Sequence, residues 1–195
     1  MRGEVAQRRL TAQQYLELEP LSEVKHEWVN GELFAMAGAS AAHNRICFNL
    51  AVTLGSALVG SPCRGYTSDQ RVRIPSTGLY TYPELTFVCG EVEYDPFSAE
   101  TLINPTLLVE VLSPSTEAWD RGGRFAHYRR LPSLSEFLLV AQDRLCVEHY
   151  LRQGDTWVLT AHSEPDAVLT LASWDAHVRI ATVYSGVDLP PDPGR

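Results

Sequence analysis

Apolar and polar positions alternate along residues 107–112, where Leu108, Glu110 and Leu112 fall on one face of a strand and Val109 and Val111 on the other. The same period of two sets Val72 and Ile74 against Arg71 and Arg73 within 68–74. Further strand-like runs cover 82–89, 136–141, 145–151 and 156–161, with Gly154-Asp155 as a turn between the last two. Over 41–58 the period becomes helical: Ile46, Leu50, Leu54 and Leu58 recur every four residues, with Cys47, Ala51 and Ala57 beside them. Thr11 can cap a short helix of good helix formers. Asn30-Gly31 joins 25–29 to 32–36 and predicts a hairpin, because both turn residues tolerate positive φ. Ser115 or Thr116 can cap a helix reaching Arg130; Gly122 and Gly123 each weaken it by roughly 1 kcal/mol, and Pro132 stops it. The polar stretch 91–104, with Pro96, reads as a loop, and 187–195, with three prolines, as a frayed tail.

These elements predict an α+β (mixed α/β) fold: one domain over 1–195 with a core at about 10–188, in which a sheet carries helices on its faces. A chain of 195 residues, 45% of them hydrophobic, suffices for such a core. Its apolar runs fall far short of the roughly 20 residues that span a bilayer. The start Met1-Arg2-Gly3-Glu4-Val5 lacks a signal-peptide core, so a cytoplasmic protein is expected. Cys47, Cys63, Cys89 and Cys146 are scattered and form no Cys-x-x-Cys pair, which points to buried free thiols. A net charge of −8 argues against non-specific coating of nucleic acid but leaves room for a local basic cleft.

Glu110 carries the sharpest chemical signal. A carboxylate set among apolar strand residues needs a partner, either an arginine or a metal ion. Glu84 follows Pro83 at the start of a neighbouring strand; it is a half-exposed strand residue or the second of two carboxylates gripping a hard cation. His43 can bind a phosphate or carry a proton, although a satisfied histidine at the end of an apolar stripe explains it as well. Asp120 and Arg124 have the spacing of a surface ion pair, yet 118–130 holds four arginines against one aspartate, as a phosphate-facing helix would. No Gly-rich phosphate loop, Gly-x-Ser-x-Gly elbow or His-Glu-x-x-His motif is present.

Several stretches resemble the Uma-type restriction endonucleases, a bacterial branch of the PD-(D/E)XK nuclease superfamily. They are Lys25-His26-Glu27, Asn30-Gly31-Glu32, Met36 to Ser40 with His43 and Asn49-Leu50, Tyr82-Pro83-Glu84, Glu110 to Thr116, Asp120-Arg121-Gly122 and Tyr128-Arg129-Arg130. The resemblance spans about 10–188 and implies a restriction endonuclease-like core: a central mixed sheet flanked by helices, here with an N-terminal hairpin and C-terminal strands. It further implies a homodimer that cleaves DNA with Mg²⁺ or Mn²⁺. Carried across, Glu84 and Glu110 hold the metal and act with Arg124 as the catalytic set, supported by Glu27 and His43. Arg121, Arg124 and Arg129 would face nucleic acid. Two departures stand out. Glu84 replaces the family's aspartate, and Arg124 replaces a lysine; arginine stays protonated and cannot act as a base. Both changes fit an active variant and also a weakened nuclease-fold module that binds DNA or a protein partner.

Overall fold

The computed structural model describes residues 9–36, 38–114 and 116–190. Helix α1 (Ala12–Leu18) begins at Thr11, whose hydroxyl accepts from the Gln14 backbone while the Gln14 side chain accepts from Thr11 N, a reciprocal capping box. Strands β1 (His26–Val29) and β2 (Glu32–Ala35) form the expected hairpin, with Asn30 at φ 52° and Gly31 at φ 94°. Helix α2 (Ala41–Ala57) is capped by the Ser40 side chain. Then follow β3 (Cys63–Thr67), β4 (Arg71–Arg73), β5 (Tyr80–Thr81), β6 (Leu85–Cys89), β7 (Tyr94–Asp95), β8 (Ser98–Leu102) and β9 (Leu107–Val111). A continuous helical segment comes next: α3 (Glu117–Trp119), a π-helical turn (Asp120–Arg124) and α4 (Phe125–Tyr128). The chain finishes through β10 (Glu136–Val140), β11 (Val147–Gln153), β12 (Thr156–His162), β13 (Val168–Leu171), β14 (Ala176–Arg179) and α5 (Ile180–Val183).

The fold is mixed α+β, but two six-stranded sheets stand where a single central sheet was expected. One has the order β2-β1-β5-β4-β8-β7, the other β12-β11-β10-β9-β6-β3, and β13 and β14 pair by themselves. In the second sheet β9 runs parallel to β10, and its other neighbour β6 is antiparallel. The alternation along β9 is expressed as packing. Val109 and Val111 join Ile46, Leu50 and Leu54 of α2 in one core, while Leu108 and Leu112 join Tyr128, Phe137 and Leu139 in another. The sheet is therefore buried on both faces, which is why its central strands read as nearly continuous apolar runs.

Four expectations need correction. Residues 91–104 are not a loop but contain the β7–β8 hairpin, whose short strands carry polar side chains such as Glu100 and Thr101. Strand β3 went unread because Arg64, Gly65 and Thr67 break its apolar pattern, and it sets Cys63 opposite Cys89 on β6. These two cysteines are therefore joined in a disulfide, and only Cys47 and Cys146 are free thiols among the described residues. Val187 and Leu189 pack against the core instead of fraying; 191–195 lie outside the described residues. No helix among the described residues is long and apolar enough to cross a membrane.

A buried carboxylate fastens β10 to the β13–β14 unit. Glu136 accepts from Ser173 N (2.8 Å), Ala172 N (3.2 Å) and the Ser173 hydroxyl, and meets His149 Nε2 at 2.8 Å. Burial opposes its charge, but the bonds from His149 and Ser173 outweigh burial and hold the carboxyl below its ordinary range. That stabilisation is present above the unfolded-state pKa and is lost as pH falls through the folded value. Glu136→Gln is expected to lower unfolding free energy by roughly 1.5–3 kcal/mol at pH 7. The cost should shrink in strong acid, which urea melts at several pH values would show.

Candidate metal-dependent active site

The residue pair Pro83-Glu84 lies between β5 of the first sheet and β6 of the second, so the candidate site forms where the two sheets hand over the chain. Leu85 pairs with Val109, and continuing that register by one residue sets Glu84 beside Glu110. From the first sheet, β1 contributes Glu27; from above, α2 contributes His43; from the π turn come Asp120 and Arg124. All of Glu27, His43, Glu84, Glu110, Asp120 and Arg124 line one cleft of about 730 Å³, together with Ser113, Thr116 and Trp119. The three catalytic and two supporting residues named from sequence are thus brought together. Of the three arginines proposed to face nucleic acid, Arg124 lines the cleft. Arg121 is instead bound to Glu117 at 2.8 Å and to Glu148, and Arg129 is exposed beyond the cleft's lining.

Arg124 is the hub. One terminal nitrogen lies 2.7 Å from Glu27, and the other lies 3.1 Å from Glu110 and 2.6 Å from Asp120. The Asp120–Arg124 pair anticipated on the surface therefore exists, but it is buried. Both residues lie on the π turn, and both side chains are buried. Burial works against the guanidinium's charge, yet Glu110, Tyr128, Glu27 and Asp120 together hold its pKa well above the ordinary value. It is a permanent cation, not a base.

Glu110 is nearly fully buried, with one oxygen accepting from Tyr128 Oη at 2.6 Å and the other facing Arg124. Burial, reinforced by Asp120 and Glu84, outweighs Arg124 and Tyr128 and pushes its carboxyl up to about 8. Asp120 is raised as well, chiefly by burial and despite Arg124. Glu27 is fixed from a second side by the Thr81 hydroxyl. Glu84 is turned toward α2: His43 Nε2 is 3.2 Å from one oxygen and Cys47 Sγ 3.5 Å from the other. Sequence reasoning missed Cys47, Tyr128 and Thr81. For Cys47 a signal existed, its position one helical turn after His43 on the same stripe.

Four acidic side chains outnumber the cleft's one guanidinium, and burial keeps Glu110 and Asp120 from ionising as readily as free carboxyls do. An oxygen-rich set of this kind suits a hard divalent cation, and without a cation it would repel a phosphodiester. Residues 12–181 match the profile of Uma2, described as "Putative restriction endonuclease". The chain belongs to the Uma2 family. Two Synechocystis sp. (strain PCC 6803) relatives of uncharacterized function align over most of their length. The protein sll1609 is 38% identical over 152 residues, covering 77% of this chain and 86% of its own. The protein slr1290 is 33% identical over 180 residues, covering 92% and 93%. The crystal structure of a "putative nuclease belonging to DUF820" from Anabaena variabilis superposes with a TM-score of 0.75 at 20% identity, over 90% of this chain and 98% of that one. Uma2 membership and this shared fold support the restriction endonuclease-like architecture expected from the sequence.

Proposed function

We propose that this cleft is the active centre of a divalent-metal-dependent endonuclease that hydrolyses DNA phosphodiester bonds, working as a homodimer. The observation that carries the reading is the convergence of Glu84, Glu110, Glu27 and Asp120 around Arg124 in one cleft of a Uma2 chain. Glu84 and Glu110 would hold Mg²⁺ or Mn²⁺, which supplies Lewis acidity toward the phosphate and a more acidic bound water. The chain's own residues do the rest. Arg124 keeps Glu27 and Glu110 in register and sets a fixed positive charge beside the position where phosphate charge builds up. Tyr128 pins the other Glu110 oxygen, which limits the carboxylate's rotation. His43, against Glu84, is placed to orient that carboxylate and to carry a proton at the cleft wall.

A second reading, a module that binds without cutting, draws on one observation: both Glu110 oxygens already have protein partners. Cleavage decides between them. The wild type is expected to nick supercoiled plasmid in Mg²⁺ or Mn²⁺ and to be silent in EDTA, with Glu84→Ala and Glu110→Ala both inactive. Plasmid left intact under both metals, by a folded dimer that still retards DNA, would favour the binding module.

A further inference from the structure

Beside the carboxylate centre lies a second donor set of different chemistry. His43 and Cys47 are one turn apart on α2 and share a face, and Glu84 closes the triangle from the strand side. Cys47 Sγ is 3.5 Å from His43 Nδ1 and 3.5 Å from Glu84, and His43 Nε2 is 3.2 Å from Glu84. One ligand atom from each residue can be chosen so that all lie within 4.8 Å of one another. Zinc bonds of about 2.0–2.3 Å in a tetrahedron put neighbouring ligand atoms roughly 3.3–3.6 Å apart. His43 meets Cys47 through Nδ1 and Glu84 through Nε2, so one ion, which takes a single ring nitrogen, would draw the three donors in from their present spacing of within 4.8 Å by small side-chain rotations.

We propose that His43, Cys47 and Glu84 form a binding site for a borderline divalent ion of the Zn²⁺ class, with its fourth position open to the cleft. Thiolate and imidazole donors select Zn²⁺ or Co²⁺ over Mg²⁺, which prefers oxygen ligands. Three protein ligands with one open position is the arrangement of a reactive zinc site, not of a closed structural one. His43 and Glu84 line the cleft and Cys47 is half-buried, so an exchangeable water would reach the fourth position from the cleft. The site also gives a reason for Glu84. One methylene longer than aspartate, its carboxylate reaches α2 and engages both donors there. The inference shares Glu84 with the proposed nuclease centre but stands whether or not the chain cuts DNA.

The test is titration of Co²⁺ alone into the full-length protein under mild reduction. A near-ultraviolet thiolate-to-cobalt charge-transfer band, saturating at one ion per chain and bleached by Zn²⁺, is expected in the wild type. The band should vanish in Cys47→Ser, and it should persist in Cys146→Ser and in Glu110→Ala. Should Cys47→Ser fail to fold, the wild type alone suffices: Zn²⁺ is expected to protect Cys47 from alkylation, read by mass on its peptide. No thiolate band, a band that survives in Cys47→Ser, or alkylation indifferent to Zn²⁺ would overturn the proposal. Because the band is read in Glu110→Ala, it reports on this site independently of DNA cleavage.

Discussion

Glu110→Gln is expected to abolish the proposed DNA cleavage and to make the metal-free protein more stable at alkaline pH. The substitution removes one of the two carboxylates proposed to hold the metal, and the neutral carboxamide is a weaker ligand for a hard cation than a carboxylate. The gain in stability follows from the raised carboxyl. With a folded value of about 8 against an ordinary 4.5, the folded chain holds this proton through a window in which the unfolded chain has lost it. Stability of the metal-free wild type therefore falls as pH climbs from about 4.5 to about 8, and the variant lacks that slope. Tyr128 can still donate to the amide oxygen, and Arg124 retains Glu27 and Asp120, so the variant keeps the cluster's other contacts. Urea melts in EDTA at pH 5 and pH 8.5 should show the two proteins close at the lower pH and the variant ahead at the higher one. A variant weaker than the wild type at both pH values would mean that Glu110 serves the fold. Added Mn²⁺ should stabilise the wild type and leave Glu110→Gln unmoved.

Arg124→Ala is expected to be the most damaging single change to folding. It strands Glu27, Glu110 and Asp120, all buried, without their shared cation. Breaking such a set from one side costs roughly 3–5 kcal/mol. The cost should ease as pH falls, because protonation discharges the carboxylates left behind. Arg124→Lys should lie between, since one ammonium keeps the charge but cannot span all three carboxylates as the planar fork does. Thermal melts of the three proteins at pH 5 and pH 8 provide the check. A cost under about 1 kcal/mol for Arg124→Ala at pH 8 would show that the network is solvated and weak.

Much of this site was legible because local rules and global structure agree at its key positions. Asn30-Gly31 has a single inexpensive conformation and fixed the hairpin that carries Glu27. The alternation through β9 placed Glu110 on the Leu108–Leu112 face, and both faces proved to be cores. The helix of 117–128 was harder to read: Gly122 and Gly123 weaken an α-helix, and the chain answers with a π turn that no periodicity announces. Asp120 and Arg124 sit on that turn, and both line the cleft. Strands β7, β8, β13 and β14 are short or carry polar residues and pair in local hairpins that no strong turn signal announces, while β3 rests on β6, a partner distant in sequence. The Cys63–Cys89 disulfide was hidden for the same reason, since it depends on the register of β3 against β6. Cys47 was visible as part of an apolar stripe, but its approach to Glu84 is a tertiary fact.

Centrally, we propose that Glu84 and Glu110 hold a divalent cation in this cleft. Calorimetric titration of Mn²⁺ into the wild type and into Glu110→Ala addresses it most directly. The account predicts saturable binding by the wild type, with proton release at pH 7 as Glu110 ionises, and loss of that binding phase in the variant. Equal heats in both proteins, or none in either, would contradict it and assign the carboxylates to the fold.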